Sequence, residues 1–252
     1  MIEVRNTSKS YGRTIVVDDV SITLPAGGVI SLIGPNGAGK STLLSIISRL
    51  LPMTAGTVTV DGMDVTTTPG DVLARRLSIL RQDNQILARL TVRDLIAFGR
   101  YPHSKGRLTV EDRGHIERVI DYLDLGAVAH RFLDELSGGQ RQRAFIAMVL
   151  CQDTEYILLD EPLNNLDVKH AVAMMALFRR TADAFGKTVI LVLHDINFAS
   201  CYSDRIVAMR DGRIAYEGPP EAIITTDVIR DVYGVEAAIH EIDGQRIALY
   251  FR

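Results

Sequence analysis

The chain has 252 residues, of which 47% are hydrophobic and 23% charged, so it can form one large domain or two small ones with a full core. Its formal net charge of -3 argues against general nucleic-acid binding, which needs a strongly basic face. No apolar run is long enough to cross a bilayer and no signal region opens the chain, so we expect a soluble protein that can still dock on a membrane partner.

The first 24 residues are predicted to form two strands. Ile2 and Val4 alternate with polar residues, and a second apolar run spans Ile15 to Leu24. Tyr11 lies between the two runs, beside a glycine. Its ring can stack on a nucleotide base or pack at a turn, and the residues alone leave both interpretations open.

The next segment fits the phosphate-loop pattern G-x-x-x-x-G-K-S/T between an apolar strand and a helical pattern. Glycines let the backbone turn its N–H groups inward, and the helix start adds partial positive charge. We expect Lys40 to reach the terminal phosphates and the Ser41 hydroxyl to bind Mg²⁺. A glycine-rich turn before an ordinary helix is the alternative, but the flanking elements favour a nucleoside triphosphate site. The proposed binding residues are Gly34, Pro35, Asn36, Gly37, Ala38, Gly39, Lys40, Ser41 and Thr42.

A strand over Thr57 to Val60 and a short helix over Asp71 to Arg76 are predicted next. Leu77 to Arg81 is typical of a buried strand, with Gln82 at its carboxyl end. Ligand-facing polar groups collect at such strand ends, although Gln82 can also be a simple loop amide.

From Asp83 to about Arg131 the pattern becomes helical. Thr91 with Asp94, and Thr109 with Asp112, are predicted N-caps, and the second helix is expected to run to Gly126. The segment is interpreted as a helical insertion between strands of the sheet. The basic residues around its loop over Tyr101 to Leu108 are expected to form a solvated face rather than a nucleic-acid site: Arg100, His103, Lys105 and Arg107.

A second anion-binding helix start follows, formed by Leu136, Ser137, Gly138, Gly139 and Gln140. Standing alone it would be an ordinary serine N-cap with flexible glycines. One nucleotide cannot easily use both this helix start and the phosphate loop within a single compact fold.

Two further predicted strands end in residues that suit phosphate chemistry. Tyr156 to Leu159 is followed by Asp160, which can hold Mg²⁺, and by Glu161, which can orient an attacking water. Thr188 to Leu193 ends in His194, which can donate a hydrogen bond to a γ-phosphate. The remaining predicted elements are a helix from Leu166-Asp167 to near Gly186, a hairpin over Arg205 to Glu217, a short helix near Thr225 to Tyr233 and a hairpin over Ile239 to Phe251.

Together these motifs resemble the ATP-binding subunit of ATP-binding-cassette (ABC) transporters over essentially the whole chain. The resemblance implies an α/β P-loop NTPase fold: a RecA-like core with a mixed or parallel sheet, an inserted helical subdomain and an N-terminal antiparallel β subdomain. It implies one domain over residues 1–252, with a core of 1–83 and 142–230, a helical subdomain of 84–141 and a C-terminal β-hairpin extension of 231–252. The implied roles are Walker A for Gly34 to Thr42, Q-loop for Gln82, signature for Leu136 to Gln140, Walker B for Tyr156 to Asp160, catalytic glutamate for Glu161, D-loop for Asp167, switch histidine for His194 and adenine stacking for Tyr11. Mg²⁺ is expected on Ser41, Gln82 and Asp160.

Members of this family work as head-to-tail pairs, which would explain why one chain carries two anion sites. Each ATP would lie between one subunit's phosphate loop and the signature of a second copy. The implied partners are that second copy, two transmembrane permease subunits and, indirectly, an extracytoplasmic substrate-binding protein, with no nucleic acid. The implied location is the cytoplasmic face of the bacterial plasma membrane, as a peripheral subunit.

Where the family often has Glu-Pro-Thr-Ser-Ala-Leu-Asp, this chain has Glu161-Pro162-Leu163-Asn164-Asn165-Leu166-Asp167. This variant, together with Leu136 to Leu150 and His194 to Gly212, resembles the ferric-siderophore import branch. Importers of cobalamin, haem or a bare metal ion are the alternative. A DNA-repair cassette would need a long coiled-coil insertion, and a ribosome-acting one usually has two cassettes and a basic linker. A small-molecule kinase would leave the signature and His194 unexplained.

Overall fold

The computed structural model describes residues 1–82, 86, 88–164 and 166–250. In chain order its strands are β1 (Ile2–Tyr11), β2 (Thr14–Leu24), β3 (Gly28–Ile33), β4 (Ala55–Val60), β5 (Met63–Asp64), β6 (Leu77–Leu80), β7 (Tyr156–Asp160), β8 (Thr188–Val192), β9 (Arg205–Arg210), β10 (Arg213–Gly218), β11 (Ala238–Ile242) and β12 (Gln245–Leu249). Its helices are α1 (Lys40–Ile47), α2 (Gly70–Leu73), α3 (Val92–Phe98), α4 (Tyr101–Ser104), α5 (Val110–Tyr122), α6 (Gly138–Cys151), α7 (Val168–Phe185), α8 (Ile196–Tyr202), α9 (Pro220–Ile223) and α10 (Thr226–Tyr233). Short 3-10 turns lie at Gly126–Val128 and Leu133–Glu135.

A six-stranded sheet with the order β10-β9-β3-β8-β7-β6 forms the centre of the protein. The strands from β9 to β6 are parallel, and β10 is antiparallel to β9 at one edge. All residues of β7 and β8 are buried, as expected where both faces of a parallel sheet are covered. Parallel alignment brings the carboxyl ends of β3, β6, β7 and β8 to one edge. That edge therefore carries Gly34, Gln82, Glu161 and His194.

Helix α1 lies between this sheet and a four-stranded antiparallel sheet of order β2-β1-β4-β5. Leu43, Leu44 and Ile47 are fully buried and share one core with Ile2 of the antiparallel sheet and Leu32 of the central sheet. Burial of apolar surface on both sides of α1 fixes the helix whose first residue is Lys40. The phosphate loop is thus held by the two sheets and the helix between them.

Helices α3, α5 and α6 pack together beside the edge strand β6. Both predicted N-caps are present, since Thr91 forms a capping box with Asp94 and Thr109 forms one with Asp112. The start of the predicted helical pattern at Asp83 lies outside the described residues. The second helix ends at Tyr122 rather than Gly126, because the chain turns through the 3-10 segment instead of continuing the helix.

The predicted solvated basic face is wrong for Arg100. Its side chain is buried, donates from Nε to Asp112 Oδ1 at 2.8 Å and from Nη1 to the Cys151 carbonyl at 3.0 Å. Although burial alone raises the pKa of Asp112, hydrogen bonds from Thr109 and Arg100 lower it to about 2. Residues Tyr101–Ser104, predicted as loop, form the short helix α4. Its Pro102 lies in the first turn, where a missing N–H removes no helical hydrogen bond.

The C-terminal part packs against the opposite side of the sheet, where α9 and α10 contact β9 and β12 contacts α8. The predicted helix α10 is present, and the predicted hairpin over Ile239 to Phe251 forms β11 and β12, with Phe251 outside the described residues. Helix α8 was not predicted; Asp195 caps it by accepting from the backbone of Asn197 and Phe198. Within the described ranges, no helix is long and apolar enough to span a membrane.

Candidate active site

The phosphate loop connects β3 to α1 through three glycines with positive φ angles. Gly34 has φ 141°, and a Cβ there would lie 2.1 Å from the Met209 carbonyl oxygen. Gly39 has φ 95°, and a Cβ there would lie 2.6 Å from the Val16 carbonyl oxygen. Both positions therefore need glycine for conformation and for space. Gly37, with φ 82°, needs it for conformation alone.

Lys40 is 5% exposed and lies over the loop that precedes it. Its Nζ donates to the carbonyls of Gly34 at 2.8 Å and Pro35 at 2.9 Å. Burial lowers the pKa of Lys40, while the carboxylates of Glu161 and Asp160 act in the opposite direction. The ammonium group is thus positioned between the loop and the ends of the central strands.

Ser41 and Asp160 form a direct pair at the end of β7. The Ser41 hydroxyl donates to Asp160 Oδ1 at 2.7 Å, and Asp160 is 7% exposed. Burial raises the pKa of Asp160, and the hydrogen bond from Ser41 partly offsets that effect. With the Gln82 amide, this is an all-oxygen donor set that fits Mg²⁺. No cluster of three or more His, Cys, Asp or Glu side chains suited to a metal exists in the described part of the chain, so a cation here would rely on phosphate oxygens and water as well.

Glu161 follows Asp160 and has a left-handed backbone, with φ 50°. Gln82 Nε2 donates to its Oε2 at 2.6 Å, and Asn164 Nδ2 donates to the same oxygen at 2.5 Å. His194 Nε2 lies 2.7 Å from Oε1. Non-glycine residues in this conformation persist only where the surroundings hold them, and such residues cluster at functional sites.

Asn164 is the residue of this cluster that sequence reasoning missed as a functional candidate. The available signal was the departure from the common family pattern, which has serine at this position. The neighbouring departure, Asn165, lies outside the described residues.

The second predicted anion site forms as a helix cap. Ser137 caps α6 by accepting from Gln140 N at 3.3 Å, and Gln140 Oε1 accepts from Ser137 N at 3.1 Å. Asp167 caps α7 by accepting from His170 N at 2.9 Å. A Cβ added at Gly139 would come within 3.7 Å of Leu166, so the signature packs beside the Asp167 segment.

The structure does not join the signature to its own phosphate loop. Among the hydrogen bonds and ion pairs of the described residues, none links Leu136–Gln140 to Gly34–Thr42. The cluster around Glu161 and the Ser41–Asp160 pair, by contrast, lie at the same end of the sheet as the loop.

Tyr11 lies at the end of β1 with 53% of its surface exposed, and Lys9 Nζ is 5.2 Å from the centre of its ring. With Ser41, Thr42, Gln82 and Asp160 it lines a cavity of about 390 Å³. A second cavity of about 140 Å³ is lined by Val16, Glu161 and the loop residues Asn36, Gly37, Ala38, Gly39, Lys40, Ser41 and Thr42. An exposed ring and the phosphate loop therefore flank adjoining spaces.

Comparison with known proteins gives consistent matches. Residues 17–164 match the model of the ABC transporter family. The petrobactin import ATP-binding protein YclP of Bacillus subtilis (strain 168) is 54% identical over 251 residues, which cover 100% of both chains. The petrobactin import ATP-binding protein FatE of Bacillus anthracis is 52% identical over 99% of this chain and 100% of that protein.

Among solved structures, a dimeric ATP-binding cassette in a post-hydrolysis state bound to ADP and Pi superposes with a TM-score of 0.78. It is 29% identical and covers 87% of this chain and 99% of its own. The predicted fold class is confirmed. With a family model matching more than half of its residues, this chain belongs to the ABC transporter family, as one of its ATP-hydrolysing cassettes.

Proposed function

We propose that this chain is the ATP-hydrolysing subunit of a ferric-siderophore importer. The observation that carries the hydrolytic part is the cluster at one sheet edge, where Glu161 contacts Gln82, Asn164 and His194 beside the Ser41–Asp160 pair. The cargo follows from the full-length similarity to petrobactin import proteins.

In the proposed site, the loop from Gly34 to Thr42 binds the phosphates of ATP through backbone N–H groups from Gly37 onward and through the Lys40 ammonium. Tyr11 stacks on the adenine from the rim of the larger cavity. Ser41 and Asp160, with Gln82, would hold Mg²⁺, which supplies charge neutralisation at the phosphates when bound.

Glu161 acts as the general base in this proposal. Its carboxylate accepts a proton from the water that attacks the terminal phosphorus, while the bond from that phosphorus to the departing ADP oxygen breaks. His194 and Gln82 contact the carboxylate, and in this proposal they turn toward the terminal phosphate when ATP is bound. Because Asn164 and Gln82 both donate to Oε2, that oxygen is oriented before substrate arrives.

The signature, Leu136–Gln140, is proposed to act on ATP held by a second copy, with Asp167 at the same contact. The absence of any described link between this segment and its own loop supports the proposal, as does the dimeric form of the similar cassette. Two permease subunits and, indirectly, an extracytoplasmic binding protein complete the proposed importer. The cassette would lie at the cytoplasmic face of the bacterial membrane.

We also retain the division into a core of 1–83 and 142–230, a helical subdomain of 84–141 and a C-terminal hairpin of 231–252. The separate two-stranded sheet of β11 and β12 supports a C-terminal hairpin, while helix α10 (Thr226–Tyr233) crosses the proposed boundary at residue 231. Helix α6 begins at Gly138 and crosses the boundary at residue 142.

Glu161→Gln tests the proposal. The amide keeps the size of the side chain but cannot take the proton, so ATP binding should persist while turnover falls by roughly a hundredfold or more. In a host strain lacking the gene, the wild-type chain should restore uptake of ⁵⁵Fe-siderophore and E161Q should not.

The control is uptake of labelled cobalamin, haem and free ferric iron in the same strains. Loss of one of these instead of siderophore uptake would reassign the cargo. Undiminished hydrolysis by E161Q would contradict the assigned base.

A further inference from the structure

Tyr233, the last residue of α10, reaches the first residue of the phosphate loop across 199 positions of sequence. Its hydroxyl oxygen accepts a hydrogen bond from the Gly34 backbone N–H at 2.8 Å. Burial raises the pKa of this hydroxyl, so it is neutral at physiological pH. Tyr233 itself belongs to none of the nucleotide-binding motifs described above.

The Gly34 backbone is held from three directions. Its N–H donates to Tyr233, its carbonyl accepts from Lys40 Nζ at 2.8 Å, and its α-carbon lies against the Met209 carbonyl, where a Cβ would be 2.1 Å away. Tyr233 and Lys40 are therefore both hydrogen-bonded to the Gly34 backbone. A shift of Gly34 would therefore move the carbonyl oxygen that accepts the hydrogen bond from Lys40 Nζ.

Helix α10 is itself anchored, so the hydroxyl is held in place. Thr226 Oγ1 donates to the Ala237 carbonyl at 2.9 Å, and Arg210 Nη1 donates to the Asp231 carbonyl at 2.5 Å. Val228 and Ile229 are buried in the same core as the central sheet. Because the fold already fixes the Tyr233 hydroxyl, little conformational entropy is lost when the Gly34 N–H bonds to it.

We propose that Tyr233 is a positioning residue of the ATP site, which fixes Gly34 and thereby the phosphate loop and Lys40. This inference rests on the proposed role of Gly34 to Thr42 in ATP binding. Without the hydroxyl, the Gly34 N–H loses its acceptor and the phosphate loop is less ordered before ATP arrives. The cost of ordering the loop then offsets part of the free energy of ATP binding.

The test is Tyr233→Phe, which removes one oxygen and keeps the ring. Its matched control is Tyr216→Phe on β10, whose hydroxyl donates to Asp231 Oδ2 at 3.1 Å and so contacts the same helix away from the loop. We expect Y233F to bind Mg·ATP roughly fivefold more weakly, the usual effect of one net hydrogen bond. The Gly34 amide should exchange with solvent faster in Y233F, whereas Y216F should match the wild type in both measurements.

Several results would overturn the inference. One is an unchanged dissociation constant in Y233F, whatever happens to its melting temperature, because a purely structural tyrosine would change stability alone. A Gly34 amide that exchanges freely in the wild type would overturn it without any variant. If the wild type does not bind ATP, both the proposed function and this inference are wrong. If the wild type binds ATP and Y233F binds it equally well, only this inference is wrong.

Discussion

At the scale of single residues, Asn164 is the least expected member of the Glu161 cluster. It sits three positions after the glutamate and donates to Oε2 at 2.5 Å, sharing that oxygen with Gln82. Hydrogen bonds to a charged group are stronger than neutral ones and contribute about 1.5 to 3 kcal/mol. We infer that Asn164 keeps the carboxylate aimed and that the left-handed turn at Glu161 depends on it.

Asn164→Ala should therefore lower kcat for ATP hydrolysis by roughly tenfold with little change in KM, since the contact orients a base rather than binding substrate. Asn164→Ser, the residue common in the family, should fall between the alanine variant and the wild type. Asn6→Gly, which loses a hydrogen bond to Asp19 in the antiparallel sheet and suits the left-handed backbone at that position (φ 46°), is the control. Steady-state ATPase kinetics measure the effect, and a wild-type kcat in N164A would show that Gln82 and His194 suffice.

At the scale of elements, the buried Arg100–Asp112 pair connects α5 to the end of α3 and, through the Cys151 carbonyl, to α6. Both side chains are about 95% buried, so removal of one charge leaves the other without compensation. Asp112→Asn keeps the shape and the capping oxygen. It should lower the free energy of unfolding at pH 7 by about 3 kcal/mol.

The pH dependence of that difference has a definite sign. The folded-state pKa of Asp112, about 2, is below its ordinary value of 3.8, so its contribution is complete above about pH 4 and is lost as pH falls toward 2. The gap between wild type and D112N in urea unfolding should narrow over that range. Asp227→Asn, from an exposed pair with Arg230, should leave the free energy of unfolding nearly unchanged at any pH. An equal effect of both variants would mean that the Arg100 site is hydrated.

The helix starts were predictable from sequence because capping is local. Thr91 and Asp94 are three residues apart, and the same spacing occurs at Thr109 and Ser137. Helix α8 was missed because Phe198, not an acid or amide, lies three residues after its N-cap Asp195, so the capping-box signal is absent. The burial of Arg100 was missed because its partner lies twelve residues away on another helix, and a basic residue beside a polar loop is usually solvated.

The residues of the site also fall into those that could be predicted from sequence and those that could not. The phosphate loop and the strand-end residues Asp160, Glu161 and His194 could be placed from sequence, because motif and strand boundary coincide. The contacts of Asn164 and Tyr233 could not, since each depends on how the folded chain brings distant or irregular segments together. Spacing alone also could not decide whether one nucleotide meets both anion sites.

At the scale of the whole molecule, the separation of the signature from its own phosphate loop bears on how many chains make one active site. If the signature acts on a partner's nucleotide, Ser137→Arg should abolish hydrolysis while leaving ATP affinity of the isolated chain unchanged. Lys40→Ala should instead lose ATP binding by its own loop. S137R alone should be inactive because its signature is blocked, and K40A alone should be inactive because its loop does not bind ATP.

Mixing the two variants separates the models. A pair of one S137R chain and one K40A chain contains an intact loop from the first facing an intact signature from the second. Because random pairing in a symmetric dimer makes half of the pairs mixed, an equal mixture should recover up to about a quarter of the wild-type sites. If both halves of the site came from the same chain, the mixture would stay as inactive as its components. Recovered ATPase activity that disappears on dilution, as pairs dissociate, would therefore assign the signature to the partner.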